Sequence, residues 1–142
     1  MSKPSKQLYT TTILLIENDT SSRAVMHTLM QKLAGQPVQI YDTSDGDEAL
    51  KLFREKQPQL VFTDLIHPGL DGCRLIERMR HLNPYVFIVV CSSVELIGEV
   101  RGYNFFLEKP FATADFQRVI RAGLAHAEDL LLQSANKQLK AV

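Results

Sequence analysis

A chain of 142 residues is long enough for one domain with a sizeable core and leaves little room for a second. Sixteen Lys and Arg residues balance sixteen Asp and Glu residues, so no overall charge attracts the chain to nucleic acid or to an anionic membrane. No apolar run approaches the roughly 20 residues needed to cross a bilayer, and the first residues contain no signal-peptide core. We therefore expect a cytoplasmic protein that binds neither nucleic acid nor membrane.

Five apolar runs predict the strands of a single sheet. They lie at residues 13–16, 38–41, 60–62, 86–90 and 105–107. The first, third and fourth runs are continuous rather than alternating, which is typical of parallel strands that helices cover on both faces.

Helical periodicity fills the intervals between these strands. The predicted helices, with the residues expected to face the core, are 20–34 (Val25, Leu29, Leu33), 47–57 (Ala49, Leu50, Phe53), 72–82 (Ile76, Met79, Leu82), and a helix from Thr113 onward (Phe116, Val119, Ile120, Leu124, Ala127). Gly35 is expected to end the first helix, and Pro58 follows the second. A short helix is expected at 94–101, with Gly98 inside it.

Alternation of strands and helices predicts an α/β fold with right-handed crossovers and helices on both faces. A doubly wound five-stranded parallel sheet in the order 2-1-3-4-5, of the flavodoxin-like type, fits the count. We expect a flexible tail at 1–11, one domain at 12–125 and a helical extension at 126–142. Cys73 and Cys91 lie in apolar surroundings without metal-ligand spacing and are predicted to be reduced core thiols.

Polar residues follow the strands at the edge where their carboxyl ends meet. They are Glu17, Asn18 and Asp19 after strand 1, Asp64 after strand 3, Ser92 after strand 4 and Lys109 after strand 5. Carboxylates that share a crevice repel one another, and a hard cation relieves that repulsion. Mg²⁺ suits a site with few carboxylates because it keeps several of its waters.

These groups favour attack of a carboxylate on a phosphoryl group. Asp64 would form an acyl phosphate, while the cation and Lys109 neutralise the charge that develops. Pro110 restricts the turn after Lys109 and could hold a cis bond, so the lysine would be aimed at the site.

The chain resembles the receiver domain of two-component response regulators, the CheY-like family, from about Thr12 to about Leu124. Asp64, followed by the loop 68–72 of sequence Pro-Gly-Leu-Asp-Gly, matches the family's phosphoacceptor and its loop. Residues 106–111, Phe-Leu-Glu-Lys-Pro-Phe, resemble its lysine–proline signature.

The resemblance implies a role for each site residue. Asp64 would accept the phosphoryl group; Lys109 and Ser92 would contact it; Phe106 would be the switching aromatic; and Glu17, Asn18, Asp64 and the backbone carbonyl of Ile66 would hold Mg²⁺, with Asp19 as a further candidate ligand. The family's partners are a histidine kinase or a histidine phosphotransfer protein, and the output here would be contact with a downstream protein. Such a domain is a phosphoacceptor that promotes only its own phosphorylation and dephosphorylation, rather than an enzyme with a separate substrate.

Three positions depart from the family pattern. Asn18 replaces an acidic residue, which predicts weaker metal binding because one charge is lost. The segment between Ser92 and Lys109 is about five residues shorter than usual, more than one helical turn. His67 stands where methionine is common, and we expect it to be a solvated loop histidine. A pseudo-receiver that binds partners without phosphorylation is therefore the alternative function.

Some residues have a simpler interpretation. Asp19 could merely cap the first helix, and Ser92 could cap the short helix that follows it. In the C-terminal stretch, Leu130 to Leu132 cannot all face one side of a helix, and Leu139 adds further apolar surface. This stretch could form a homodimer contact or another partner surface, pack back onto the domain, or fray.

Overall fold

A computed structural model describes residues 9–93 and 100–140. The elements are β1 (Thr11–Ile16), α1 (Thr20–Leu33), β2 (Val38–Thr43), α2 (Gly46–Lys56), β3 (Leu60–Thr63), α3 (Gly72–Leu82), β4 (Phe87–Ser92), β5 (Phe105–Glu108) and α4 (Thr113–Lys140). Most of the expected tail 1–11 and of the expected helix 94–101 lies outside the described residues. Val100 and Arg101, which are described, are not helical.

The five strands form one parallel sheet in the order β2-β1-β3-β4-β5, as predicted. Register places Ile16 of β1 beside Thr63 of β3. The residues that follow these two positions, Glu17 and Asp64, therefore emerge next to each other at the carboxyl edge of the sheet.

Each face of the sheet is covered by a pair of helices. On one face α1 and α4 pack over β1, β3 and β4, where the rings of Phe62 and Phe116 stack with centroids 5.5 Å apart. On the other face α2 and α3 cover alternate residues of the same strands, among them Leu14, Val61 and Ile88. Burial on both faces explains why these strands are continuously apolar, and each large side chain buried here contributes roughly 1.5–3 kcal/mol to the stability of the fold.

The buried row of α1 differs from the predicted one. Met26, Met30 and Ala34 are buried, whereas Val25 is 58% exposed; Leu29 and Leu33 are only half-buried. Two apolar rows one residue apart share the four-residue spacing, so the periodicity alone could not decide which row meets the sheet. The prediction for this helix was therefore wrong by one position, or about 100° of rotation.

Two further burial predictions were wrong in α3. Leu82 is 46% exposed because it is the last residue of the helix, while Leu75, Ile76 and Met79 form the contact with the core. Cys73, in the first turn, is half-buried rather than part of the core. Cys91 is buried as predicted, and this burial raises the pKa of its thiol to about 12.

The loop after β3 lies against the start of α2. The N–H of Gly46 donates to the carbonyl of Pro68 at 2.8 Å. A Cβ at Gly46 would lie 2.2 Å from the carbonyl oxygen of Leu70 and 2.8 Å from Cε1 of His67. The expectation of a solvated His67 was therefore wrong, because its ring packs on the Gly46 backbone and its Nε2 is buried.

Arg80 anchors the described part of the connection between β4 and β5. Its guanidinium donates to the carbonyls of Gly102 and Val86 and to the side-chain oxygen of Asn104. Asn104 also exchanges hydrogen bonds with the backbone of Ile88, at 2.8 Å each. These bonds fix the start of β5 on the sheet.

Helix α4 continues through the expected boundary at 125 and 126 without a break. Its core residues are the five that the periodicity predicted, together with Gly123. Every residue from Leu131 to Lys140 is exposed, so the last ten described residues form about 15 Å of fully exposed helix. No helix in the described part of the chain is long and apolar enough to cross a membrane.

Candidate functional site

Backbone hydrogen bonds continue the sheet beyond the ends of β1 and β3. The N–H of Glu17 donates to the carbonyl of Thr43, and the N–H of Asp64 donates to the carbonyl of Ile16, both at 3.0 Å. The N–H of Asn18 then donates to Oδ2 of Asp64 at 3.1 Å. Glu17 and Asp64 are buried as a result, at 2% and 8% exposure.

Lys109 joins this pair from the loop after β5. Its Nζ lies 2.6 Å from Oε1 of Glu17 and forms an ion pair with it. Its backbone N–H donates to the carbonyl of the buried Ser92 at 2.9 Å, and the Lys109–Pro110 peptide is cis. Five of the residues singled out in the sequence, Glu17, Asn18, Asp64, Ser92 and Lys109, thus meet at one edge of the sheet.

The two carboxyl groups have pKa values displaced in opposite directions. Burial, and then the neighbouring Glu17, raise the pKa of Asp64 to about 8. Burial also acts to raise the pKa of Glu17, but the hydrogen bonds from Asp64 and Lys109 lower it on balance. In the absence of a metal ion, Glu17, which is paired with Lys109, is therefore the better stabilised carboxylate, and Asp64 binds a proton more readily.

One oxygen of Asp64 lacks a donor. Its Oδ1 is buried and accepts no hydrogen bond from the described residues, so an ionised Asp64 has uncompensated charge on that oxygen. A buried carboxylate oxygen without a partner is costly, and a hard cation or a covalent substituent on that oxygen would remove the cost. The residues present therefore fit a cation that uses few protein ligands.

The donor set around that oxygen contains few charges. Within the described ranges, no group of three or more His, Cys, Asp or Glu side chains could hold a metal, and the site itself has two carboxylates, Glu17 and Asp64. Mg²⁺ is compatible with such a set because it retains several waters. Asn18 and the carbonyl of Ile66 stay predicted ligands; the side chain of Ile66 is 69% exposed.

Asp19 caps α1. Its Oδ2 accepts the N–H of Ser22 at 2.7 Å, and this bond lowers the pKa of the Asp19 carboxyl. The capping role that the sequence left open is thus confirmed, while a role for Asp19 in metal binding stays a prediction.

Phe106 lies on the face of the sheet that α2 and α3 cover. It is half-buried against the core beneath α2 and α3, and its ring meets Tyr103 edge-to-face with centroids 6.0 Å apart. Sequence reasoning did not identify Tyr103, although an aromatic residue in so short a connection could have suggested it. It also missed Arg23, whose Nη1 donates to the carbonyl of Glu17. An arginine on a helix gives no such signal in a single sequence.

A groove of about 540 Å³ opens beside the site. Its walls come from the first turns of α1 and from the loop after β5: Glu17, Ser21, Ser22, Val25, Met26, Leu29, Lys109, Pro110 and Phe111. Apolar side chains supply most of this lining, and Lys109 connects it to the buried carboxyl groups.

Comparison with known proteins gives consistent matches. The response regulator receiver domain family matches residues 13–121. A probable transcriptional regulator, ycf27, from Porphyridium aerugineum is 28% identical over 82% of this chain and 49% of its own length. The DNA-binding response regulator MtrA from Mycolicibacterium smegmatis is 29% identical over 82% of this chain and 52% of its own length. The chain thus spans about half the length of the curated relatives it matches.

Solved structures show the same fold. A response regulator receiver domain protein from Clostridium thermocellum has a TM-score of 0.74 at 20% identity, covering 84% of this chain and 98% of that one. A CheY-like receiver domain from Methylobacillus flagellatus has a TM-score of 0.69 at 21% identity, covering 81% and 99%. Together with the sheet order and the family match over most of the sequence, these likenesses show that the chain belongs to the response regulator receiver domain family of two-component signalling.

Proposed function

We propose that this receiver accepts a phosphoryl group on Asp64, with Mg²⁺ bound, from the phosphohistidine of a kinase or phosphotransfer protein, and signals by protein contact. The observation that carries the proposal is the buried Asp64, whose Oδ1 accepts no hydrogen bond from the described residues, beside Glu17 and Lys109. A carboxyl group held in this way costs stability unless something binds it, which supports a functional role over a structural one.

The transfer follows from the positions of these groups. Binding of Mg²⁺ would release the proton of Asp64 to solvent. A carboxylate oxygen of Asp64 then attacks phosphorus, a P–O bond forms, and the P–N bond to the donor imidazole breaks with its electron pair leaving on nitrogen. Lys109, now paired with Glu17, would move to the phosphoryl oxygens, and Ser92 would contribute its hydroxyl. Mg²⁺ held by Glu17, Asn18, Asp64 and the Ile66 carbonyl would neutralise the charge on the carboxylates and the phosphoryl group.

The groove beside Lys109 supports a protein as the donor. Val25, Leu29 and Phe111 present apolar surface next to the site, and Val25 is 58% exposed. An apolar wall that leads to buried polar chemistry is what a protein carrying a phosphohistidine on a helix would bind. The balanced charge of the chain gives no net attraction to DNA, so protein contact is the output that we propose.

Intact-mass spectrometry tests phosphoryl transfer. The protein is incubated with Mg²⁺ and acetyl phosphate, and we expect a gain of one phosphoryl group that Asp64→Asn abolishes. Asp71→Asn is a matched control, because Asp71 caps α3 in the same loop and Asn preserves a cap. A gain that persists in Asp64→Asn, or no gain in the wild type, would contradict the proposal.

A pseudo-receiver remains the second candidate function. Two observations favour it: Asn18 supplies no charge to the site, and Lys109 already neutralises Glu17. Such a protein would bind partners without phosphorylation. Absence of both a mass gain and Mg²⁺ binding at millimolar concentration would support this candidate over the first.

A second copy of this chain is the partner that we propose for the end of α4. Leu132, Ala135 and Leu139 recur at spacings of three and four along the exposed helix, which is the pattern of a coiled-coil seam. Their flanking residues on the seam, Leu131, Asn136 and Gln138, are uncharged. When identical helices pair in parallel, each residue lies beside its own copy, so an uncharged seam suits self-association.

A further inference from the structure

Arg23 reaches from α1 back to the end of β1. Its Nη1 donates to the backbone carbonyl of Glu17 at 2.9 Å, and its Nε lies 3.6 Å from Oδ1 of Asp42 on β2. The side chain is only 21% exposed. Asp42 is itself held by His27, whose Nδ1 lies 2.6 Å from Oδ2 of Asp42. The guanidinium is therefore fixed between a helix, a strand and the backbone of the site.

The carbonyl that Arg23 binds belongs to the peptide group between Glu17 and Asn18. The N–H of the same peptide group donates to Oδ2 of Asp64 at 3.1 Å. A peptide group is planar, so the direction of its carbonyl fixes the direction of its N–H. Arg23 thus binds the carbonyl of a planar peptide group whose N–H binds Asp64, the candidate phosphoacceptor.

Without Arg23, this peptide group would have more freedom to rotate. The N–H of Glu17 is bound to Thr43, but that bond lies in the preceding peptide group and leaves the next one undetermined. A hydrogen bond from a charged donor is among the stronger ones in proteins, and the guanidinium can bridge two acceptors. A lysine has one ammonium group and cannot span the carbonyl and Asp42 in this way.

We propose that Arg23 is a positioning residue for Asp64 and acts through the Glu17–Asn18 peptide group. It keeps the Asn18 N–H on Oδ2 and so fixes the orientation of the Asp64 carboxyl group, whose Oδ1 accepts no hydrogen bond from the described residues. The consequence for phosphorylation rests on the proposed function; the positioning itself does not.

The test compares Arg23→Ala and Arg23→Lys with Arg121→Ala. Arg121 is a matched control because its Nε donates to the backbone carbonyl of Leu33, at 3.3 Å, far along the chain from the site. In magnesium-free protein, we expect the amide NMR signal of Asn18 to shift and its hydrogen exchange to accelerate about tenfold in both Arg23 variants. Arg121→Ala should leave that signal unchanged.

The second measurement is the rate of phosphorylation by acetyl phosphate, which we expect to fall about three- to tenfold in the Arg23 variants and not in Arg121→Ala. An unchanged Asn18 amide in Arg23→Ala, or an equal change in Arg121→Ala, would overturn the proposal. So would wild-type behaviour of Arg23→Lys, which would show that charge alone matters. If the amide responds as expected but the wild type incorporates no phosphoryl group, Arg23 positions Asp64 and the proposed function fails instead.

Discussion

The carboxyl edge of the sheet contains buried charged groups, whereas the last ten described residues of α4 contain exposed apolar side chains. At the edge, Glu17 and Asp64 are buried, and hydrogen bonds and Lys109 from the same chain compensate most of their charge. Along the helix end, Leu132 and Leu139 are 56% and 75% exposed. The first region is stabilised by contacts within the chain, whereas the apolar side chains of the second are left exposed to solvent.

The largest expected effect separates the two parts of α4. Phe116→Ala should lower the free energy of unfolding by about 3–5 kcal/mol, because the fully buried ring stacks on Phe62 and its loss leaves a cavity. Leu139→Ala should change it by no more than about 0.5 kcal/mol in the monomer. Urea titration at low protein concentration measures both, and equal effects would show that the helix end packs on the domain.

The buried carboxyl groups predict how stability depends on pH. Because the pKa of Asp64 is raised to about 8, the folded protein holds this proton more tightly than the unfolded chain. The associated stability is present at pH 4 and is lost as pH rises toward 8. The pKa of Glu17 is lowered, so its contribution to stability is present above its unfolded pKa and is lost as the pH falls through its folded pKa.

Asp64→Asn isolates that contribution. The variant should unfold at nearly the same urea concentration at pH 5.5 and pH 8, whereas the magnesium-free wild type should lose stability between them. If the stability of the wild type depended on pH as little as that of Asp64→Asn, Asp64 would already be ionised in the folded protein.

Asn18→Asp adds a charge at the carboxyl edge. We expect Mg²⁺ to bind about tenfold more tightly, because a carboxylate replaces a neutral amide close to the cation. Calorimetric titration measures the affinity, and Asn83→Asp, at the end of α3, provides the same charge change elsewhere. Unchanged affinity in Asn18→Asp would show that position 18 is not a metal ligand.

The smallest expected effect concerns the helix end. The seam is short, so self-association should be weak and visible only at high protein concentration. Sedimentation equilibrium should show a concentration-dependent dimer that Leu132→Glu removes and that Lys137→Glu, on the opposite side of the helix, retains. A wild type that stays monomeric at the highest concentrations would exclude a second copy as the partner.

Much of the carboxyl edge could be predicted from the sequence. Continuous apolar runs identified the central strands, and the strand order then placed Glu17 and Asp64 together. This inference succeeds because parallel strands end at a common edge, so residues far apart in sequence are brought together by topology alone.

Other features depended on packing that periodicity does not encode. Because α1 has two equally spaced apolar rows, periodicity could not show whether Met26 or Val25 faces the sheet. In the structure Met26 is buried and Val25 is exposed. His67 packs on Gly46 because that glycine leaves space for its ring, which is a contact between distant loops. In the sequence, nothing distinguishes Arg23 from a surface arginine. Its hydrogen bond to the Glu17 carbonyl forms only in the folded chain.

The most direct test of phosphoryl acceptance is to locate the modified residue. After reaction with Mg²⁺ and acetyl phosphate, borohydride reduces an acyl phosphate of aspartate to homoserine, and peptide mass spectrometry shows which aspartate has changed. We predict homoserine at position 64 and nowhere else. Homoserine at another position, such as Asp19, or none at all, would contradict the assignment of Asp64 as the phosphoacceptor.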